Sequence, residues 1–179
     1  FDRVLAEGAA WAVARGHGVL WPDIRRALQY FVPQPMRWER KRIGEITLIN
    51  DAYNANPLSM RAALEAFRQT ATTGRKWLVL GGMLELGRIS SYEHREVGRI
   101  AGQQAWDGLI TVGELGQEIA AGAEDAGFSR PLIFRCEDVS MAAQVLAERC
   151  QPGDTVLLKA SRGIRLETLV PLYREKMSV

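Results

Sequence analysis

The sequence predicts an α/β fold in which helices cover both faces of a mostly parallel sheet of about six strands. Short apolar runs with little polar alternation occupy residues 46–49, 77–80, 109–112, 132–134 and 155–158. Amphipathic segments separate these runs. Parallel strands that are buried on both faces are apolar throughout, and consecutive ones need a helical crossover. The alternation is therefore typical of a Rossmann-like, doubly wound domain.

Helical periodicity fills the gaps between the predicted strands. Three segments repeat apolar residues at i, i+3, i+4 and i+7, and each so presents one apolar face. Further helical stretches lie near residues 92–104 and 114–126. Residues 36–44 alternate enough to predict an additional edge strand. Its basic run, residues 40–42, would protect that edge from pairing with another sheet. The three amphipathic segments begin at Met60, Val139 and Leu166.

The pattern of apolar residues at the beginning of the chain differs from that of the rest. Residues 1–31 give two helical patterns separated by a glycine-rich break, and Pro33 and Pro35 end the second pattern. We place a domain boundary here, with residues 1–35 as a piece of one unit and residues 36–179 as the α/β domain. Because the chain does not start with methionine, we interpret its N-terminus as a cut edge.

The composition excludes several classes of protein. The 179 residues include 23 Lys or Arg and 21 Asp or Glu, and the net charge of +2 does not favour a nucleic-acid or membrane-surface binder. No apolar run approaches the roughly 20 residues that a membrane-spanning helix needs. The two cysteines fit neither a disulfide framework nor a zinc site, so we expect a reducing, cytoplasmic environment.

Ligands of such folds bind at the carboxyl ends of the strands, which draws attention to three loops. The first, residues 50–57, is rich in hydrogen-bonding side chains. Asp51 could bind ribose hydroxyls, and the amide of Asn54 could read the edge of a base. Asn56 and Pro57 suit the start of the following helix. Composition alone leaves a binding role and a structural role equally open.

The second and third loops are ambiguous by themselves. Residues 81–91 match neither GxGxxG nor a P-loop, so we expect a flexible turn, and we expect His94 to be a surface or capping residue. Lys159, Ser161 and Arg162 follow the last strand and open a helical segment, where cations and backbone N–H groups suit an anion. Solvated loop charges are the alternative. The residues thus point to a domain that binds a small anionic or nucleotide ligand.

Three sequence motifs, in the same order along the chain as in a known family, carry a family resemblance. INDAYNANPLSM at residues 49–60, LGGMLELG at residues 80–87 with HREVG at residues 94–98, and LKASRGIRLE at residues 158–167 together resemble the Mur ligases. The resemblance covers the chain from about Arg37 to its C-terminus. It is strongest to the branch that joins D-Ala-D-Ala to a UDP-N-acetylmuramoyl-tripeptide in peptidoglycan synthesis, through an acyl phosphate made with ATP.

The resemblance implies a cytoplasmic, monomeric ligase of three domains. The chain would be its C-terminal domain, preceded by the closing helices of the central ATPase domain. The P-loop and the ligands of Mg²⁺ would lie in the missing part of that central domain, so we expect no catalytic residue in this chain and no ligase activity from it alone. The other domains would bind the UDP-N-acetylmuramoyl-tripeptide.

The resemblance also implies roles for individual side chains around ATP. Asp51 resembles the carboxylate that holds the ribose hydroxyls, and Asn54 and Asn56 resemble its neighbours around the nucleoside. Arg37 matches an interdomain arginine that reaches the phosphates, for which a guanidinium is well suited.

A second set of side chains would face the incoming dipeptide. Lys159, Ser161 and Arg162 match the loop in which cations hold the carboxylate of D-Ala-D-Ala. Because the attacking amine must be neutral, we expect no carboxylate close to it.

Three residues depart from the family pattern. Gly82 stands where an Asp is usual, Ala160 replaces a common Gly, and Met36 replaces the Gly of a Pro-Gly-Arg sequence.

Two alternative functions remain. One alternative is a related amide ligase of the cyanophycin or folate type, against which the YNANP string argues. The other is a non-catalytic nucleotide-binding module. A dehydrogenase is disfavoured because no GxGxxG follows the first strand.

Overall fold

The computed structural model describes residues 12–29 and 34–177. Residues 12–16 are helical. The strands are β1 (Glu39–Ile43), β2 (Ile46–Asn50), β3 (Lys76–Gly81), β4 (Gly108–Val112), β5 (Ile133–Cys136) and β6 (Thr155–Lys159). The helices are α1 (Trp21–Gln29), α2 (Pro57–Gln69), α3 (Ser90–Gly102), α4 (Glu114–Asp125), α5 (Val139–Arg149) and α6 (Leu169–Lys176).

The strands form one sheet in the order β1-β2-β6-β3-β4-β5. β1 pairs with β2 antiparallel, and every other neighbouring pair is parallel. The predicted fold class and the additional edge strand are therefore confirmed. β5 begins one residue later than predicted because Leu132 still belongs to a short 3₁₀ turn. The helical predictions for residues 1–11 and 30–31 fall outside the described residues.

Apolar side chains on the two faces of the sheet build two cores. Helices α5 and α6 cover one face, where Leu48, Val156 and Leu158 meet Leu146 and Tyr173. Helices α2, α3 and α4 cover the other face. There Ile49, Leu78 and Leu157 pack against side chains that include Met60, Leu64, Phe67, Val97 and Ile119. Coverage on both faces explains why the parallel strands are apolar throughout.

Glycines bring α3 and α4 unusually close together. A methyl group added at Gly98 of α3 would overlap the backbone carbonyl oxygen of Ile119 in α4. A methyl group at Gly122 would in turn overlap the carbonyl oxygen of Arg95. The two helices therefore pack backbone against backbone, which only residues without a Cβ allow.

A partly buried ion pair joins the starts of β3 and β6, at the amino end of the sheet. Asp154 is 1% exposed, and its carboxylate lies 2.8 Å from Nη2 of the half-buried Arg75 and 3.2 Å from the indole Nε1 of Trp77. Burial by itself would raise the pKa of Asp154. The hydrogen bonds from the Arg75 side chain and from the backbone N–H groups of Gln151 and Arg75 outweigh it, so that this pKa lies below its usual range.

Both cysteines are free thiols. Burial, followed by the nearby charge of Asp138, raises the pKa of Cys136 to about 11. Burial, followed by the charge of Asp154, raises the pKa of Cys150 to about 12.

Over residues 12–29 and 34–177, no helix is long and apolar enough to cross a bilayer.

Candidate functional site

The three loops singled out by the sequence meet at the carboxyl end of the sheet. β6 lies between β2 and β3 and is parallel to both, so the three strands end at the same edge. Backbone hydrogen bonds then tie the loops together: Asp51 N–H donates to Leu158 O at 2.9 Å, and Ser161 N–H donates to Gly82 O at 2.9 Å. These hydrogen bonds join the loops into a single rim.

A buried ion pair lies at the centre of this rim. The ammonium group of Lys159 lies 2.6 Å from Oδ2 of Asp51, and the two residues are 2% and 6% exposed. Lys159 Nζ also donates to the backbone oxygen of Asn54 at 3.2 Å. The other oxygen of Asp51 accepts the N–H of Trp38 at 3.1 Å. The predicted ribose-binding and dipeptide-binding residues thus bind each other, and Lys159 does not point into open space.

Ser161 and His94 hold the loop that follows β3. The hydroxyl group of Ser161 donates to Ala55 O at 3.2 Å and accepts the N–H of Leu84 at 2.9 Å. His94 Nε2 accepts the N–H of Met83 at 2.7 Å, and its Nδ1 lies 2.6 Å from Ser90 O. The Nδ1–H tautomer satisfies both contacts.

Two expectations about this loop are therefore wrong. His94 is completely buried rather than on the surface, and it supports the loop instead of capping a helix. The loop itself is not a free turn, because two consecutive N–H groups are bound by side chains of other elements. Residue spacing could not reveal either feature, because the contacts join residues 11 and 77 positions apart.

The two asparagines of the first loop differ in their contacts. Asn56 caps α2: its side chain accepts the N–H of Ser59 at 2.8 Å, and the hydroxyl group of Ser59 accepts the N–H of Asn56 at 3.0 Å. This is a complete capping box, with Pro57 at the first helical position. Asn54 is exposed, and its Oδ1 accepts the N–H of Ala55 at 2.9 Å, whereas its amide nitrogen has no partner among the described residues.

Arg37 is placed beside the same rim. It is exposed, and its guanidinium group lies 4.5 Å from the centre of the Tyr53 ring. Tyr53 N–H donates to Met36 O at 3.1 Å, which ties the segment before β1 to the loop after β2. A guanidinium group stacked on an aromatic ring keeps its N–H donors free at its edges.

A cleft of about 330 Å³ opens beside the ion pair. Arg162 lines it with 57% of its side chain exposed, and its Nη1 lies 3.1 Å from a Glu167 oxygen. Of the predicted residues, the cleft unites Asn54, Ser161 and Arg162, but not Lys159. Its lining consists of Tyr53, Asn54, Leu84, Glu85, Ser161, Arg162 and Gly163.

Sequence reasoning missed Glu85 in this lining. Glu85 contributes a carboxylate to the cleft from the loop after β3, so the expectation that no carboxylate lies close to the attacking amine depends on where that amine binds. The available signal was a lone acidic residue among apolar and glycine residues in a loop at the carboxyl end of a strand.

Unusual backbone conformations collect around the same edge. Among the described residues, four other than glycine have a positive φ: Met36 at 60°, Trp38 at 52°, Glu85 at 65° and Arg165 at 57°. All four belong to the segments that surround the ion pair and the cleft. Such conformations are unfavourable for residues with a Cβ, and they concentrate at functional sites. The described residues contain no group of three or more His, Cys, Asp or Glu side chains that could hold a metal ion.

Comparison with known proteins identifies the family. The model of the Mur ligase family for the glutamate ligase domain matches residues 36–162. The chain belongs to the Mur ligase family. The matched range includes the segment before β1 and all three loops of the rim.

Two relatives in the Mur ligase family bear the same enzyme name. The UDP-N-acetylmuramoyl-tripeptide–D-alanyl-D-alanine ligase of Bacillus subtilis is 36% identical over 163 residues, 90% of this chain and 35% of that protein. The enzyme of the same name from Mycobacterium tuberculosis H37Rv is 37% identical over 140 residues, 68% of this chain and 27% of that protein.

Solved structures agree with this relationship. MurF ligase from Thermotoga maritima in complex with ADP has a TM-score of 0.76 at 28% identity and covers 93% of this chain and 36% of its own. MurF from Acinetobacter baumannii has a TM-score of 0.81 at 27% identity and covers 96% of this chain and 37% of its own. The chain thus spans about a third of the length of the relatives it matches.

The structure gives physical reasons for two departures from the Mur ligase pattern. A side chain at Gly82 would begin 2.8 Å from Cδ1 and 2.9 Å from Cβ of Leu115, so Leu115 occupies the space that an Asp would need. Ala160 is fully buried, and its Cβ lies 2.9 Å from the point where a methyl group on Gly81 would start. The glycine at position 81 thus makes room for the alanine at position 160.

Proposed function

We propose that this chain is the ATP- and dipeptide-binding C-terminal part of a ligase that joins D-Ala-D-Ala to a UDP-N-acetylmuramoyl-tripeptide in the cytoplasm. The observation that carries the proposal is the meeting of all three family motifs at one edge of the sheet, around the Asp51–Lys159 pair. The names of the relatives and the ADP complex of one structural neighbour support the reaction and its nucleotide.

Asp51 and Arg37 serve the nucleotide in this proposal. The Asp51 carboxylate is held by Trp38 N–H and by Lys159, yet each oxygen retains a further lone pair for a ribose hydroxyl. Arg37 is exposed at the start of the domain, where its guanidinium group can reach phosphate oxygens that a neighbouring domain holds. Asn54 offers its free amide group beside the nucleoside.

The dipeptide occupies the adjacent cleft in this proposal. Arg162 holds its carboxylate, since it is the exposed cation in the lining. Lys159 acts differently from the role that the resemblance implied. With its ammonium group buried against Asp51 and Asn54, it orients the nucleotide-binding loop. Ser161 likewise fixes the loops by its two hydrogen bonds.

The chemistry needs two domains to meet. ATP phosphorylates the terminal carboxylate of the tripeptide, and the dipeptide amine then attacks that carbonyl carbon, with inorganic phosphate as the leaving group. The acyl phosphate must be shielded from water, which closure of the domains about residues 34–37 would provide. The rim described here contributes one wall of that enclosed site.

The test is a steady-state assay of the complete ligase that contains this chain. Phosphate release should require both the UDP-N-acetylmuramoyl-tripeptide and D-Ala-D-Ala. Asp51→Asn should raise the KM for ATP at least several-fold, whereas the control Lys41→Met, on an exposed part of β1, should not change it. An unchanged KM for ATP in Asp51→Asn would remove Asp51 from the nucleotide site. Preference for a single amino acid over the dipeptide would point to a related amide ligase.

The isolated chain offers a second test. Because the ATP site is split between domains, calorimetry should detect only weak ATP binding to these 179 residues. Micromolar affinity of the isolated chain would contradict the split site and favour a self-sufficient nucleotide-binding module.

A further inference from the structure

We propose that Glu85 binds the ammonium group of the incoming dipeptide, so that the cleft recognises both ends of a zwitterion. This inference rests on the function proposed above and assigns a further substrate-binding residue to it. The cleft is lined by one carboxylate, from Glu85, and one guanidinium group, from Arg162. These two groups come from different loops, after β3 and β6, so the fold brings opposite charges to one cavity.

Glu85 differs from an ordinary solvated surface carboxylate. It is exposed, and within residues 12–29 and 34–177 its side chain has no hydrogen bond or ion pair. Its backbone nevertheless adopts a φ of 65°, a conformation that is unfavourable for a residue with a Cβ. A free carboxylate in an unfavourable conformation is suited to a partner that the chain itself does not supply.

The loop that carries Glu85 is fixed from two directions. The two residues immediately before it, Met83 and Leu84, donate their N–H groups to His94 and Ser161. Their anchors lie on α3 and on the loop after β6, on opposite sides. Two other elements therefore hold the backbone on the N-terminal side of Glu85 in place, at the edge of the cleft that Glu85 lines.

The lining matches the chemistry of a short zwitterionic peptide. Arg162 can hold the carboxylate in a charge-assisted pair, and Glu85 can hold the ammonium group at the other end. Leu84 and Tyr53 add apolar surface for side-chain methyl groups. The amine must lose its proton before it attacks. Glu85 is exposed, so that proton can leave to solvent at the mouth of the cleft.

The decisive experiment measures KM and kcat of the complete ligase with D-Ala-D-Ala. Glu85→Gln should raise the KM for the dipeptide roughly 5- to 30-fold, which is the range for losing one partly exposed charge-assisted pair. The KM for ATP should stay unchanged. Glu85→Asn should behave in the same way while tolerating the positive φ, which excludes misfolding as the cause. Glu45→Gln, in the turn between β1 and β2 at the opposite end of the sheet, is the matched control.

A substrate analogue separates the two ends of the ligand. The C-terminal amide of D-Ala-D-Ala lacks the carboxylate, so the wild-type enzyme should prefer the free dipeptide. Arg162→Gln should abolish that preference, whereas Glu85→Gln should retain it. Loss of the preference in Glu85→Gln would show that Glu85 acts through Arg162, and an unchanged dipeptide KM would remove it from the site. If the wild-type enzyme itself does not use D-Ala-D-Ala, the proposed function fails, and this assignment fails with it.

Discussion

Replacing Lys159 by methionine should strongly destabilise the domain. Methionine has a similar length and is apolar, so the change removes the charge and its donors and leaves little empty space. Lys159 Nζ lies 2.6 Å from Oδ2 of Asp51, and the two residues are 2% and 6% exposed. After the substitution, a buried carboxylate would keep only the N–H of Trp38 as a partner.

The size of the effect follows from this geometry. Removing one partner of a buried ion pair costs about 3–5 kcal/mol because the other charge stays buried without compensation. Loss of the hydrogen bond to Asn54 O is part of this cost. In a domain of this size, the corresponding decrease in Tm is about 6–20 °C. Replacing both members in Asp51→Asn/Lys159→Met should recover at least about 2 kcal/mol, because no buried charge then remains.

Urea unfolding of the 179-residue chain, followed by circular dichroism, provides the measurement. Lys41→Met is the control: Lys41 pairs with Glu39 at 3.2 Å on the exposed edge strand, where a pair contributes only about 0–1 kcal/mol. If Lys159→Met lost less than about 1 kcal/mol, or if the double variant were no more stable than the single one, the pair could not be the buried, coupled unit described.

Three further outcomes are expected. Asp154→Asn should lose about 3 kcal/mol at pH 7. Because the pKa of Asp154 is lowered in the folded state, its ionised carboxylate stabilises the fold above about pH 4. This stabilisation is lost as the pH falls through the folded-state pKa. The urea midpoints at pH 7 and pH 3 should therefore differ more in the wild type than in the variant. Gly98→Ala should lower the free energy of unfolding by more than about 3 kcal/mol, whereas Gly116→Ala, with nearest neighbours at 3.2 Å, should cost far less. Cys136 and Cys150 have pKa values of about 11 and about 12, so little of either thiol is ionised at pH 8. Because the thiolate is the reactive form, both should react with iodoacetamide at least about 100-fold more slowly than in the urea-unfolded chain.

The architecture could be predicted because it depends on local patterns. Five apolar runs and the helical faces between them define buried parallel strands and their crossovers, and the carboxyl-end rule then locates the site. The capping role of Asn56 was also predictable, since Ser59 and Pro57 are its neighbours in the sequence. Each of these features involves residues within a few positions of one another.

The internal arrangement of the site could not be predicted in the same way. Asp51 and Lys159 are 108 residues apart, and only the adjacency of β2 and β6 brings them within 2.6 Å. His94 is buried and accepts a hydrogen bond from the loop after β3, a contact that its helical position does not reveal. Composition indicates which chemical groups the loops carry, but whether two charges satisfy each other or a ligand depends on strand order.

Met36 adopts a backbone conformation that usually favours glycine. Its φ of 60° is the left-handed conformation that the glycine of a Pro-Gly-Arg sequence adopts without penalty. Two backbone hydrogen bonds offset the cost for methionine: its N–H donates to Glu39 at 3.2 Å, and its oxygen accepts the N–H of Tyr53 at 3.1 Å. The same turn places the next residue, Arg37, over the ring of Tyr53 at the rim. The conformation of Met36 therefore determines where the guanidinium group proposed to reach the phosphates begins.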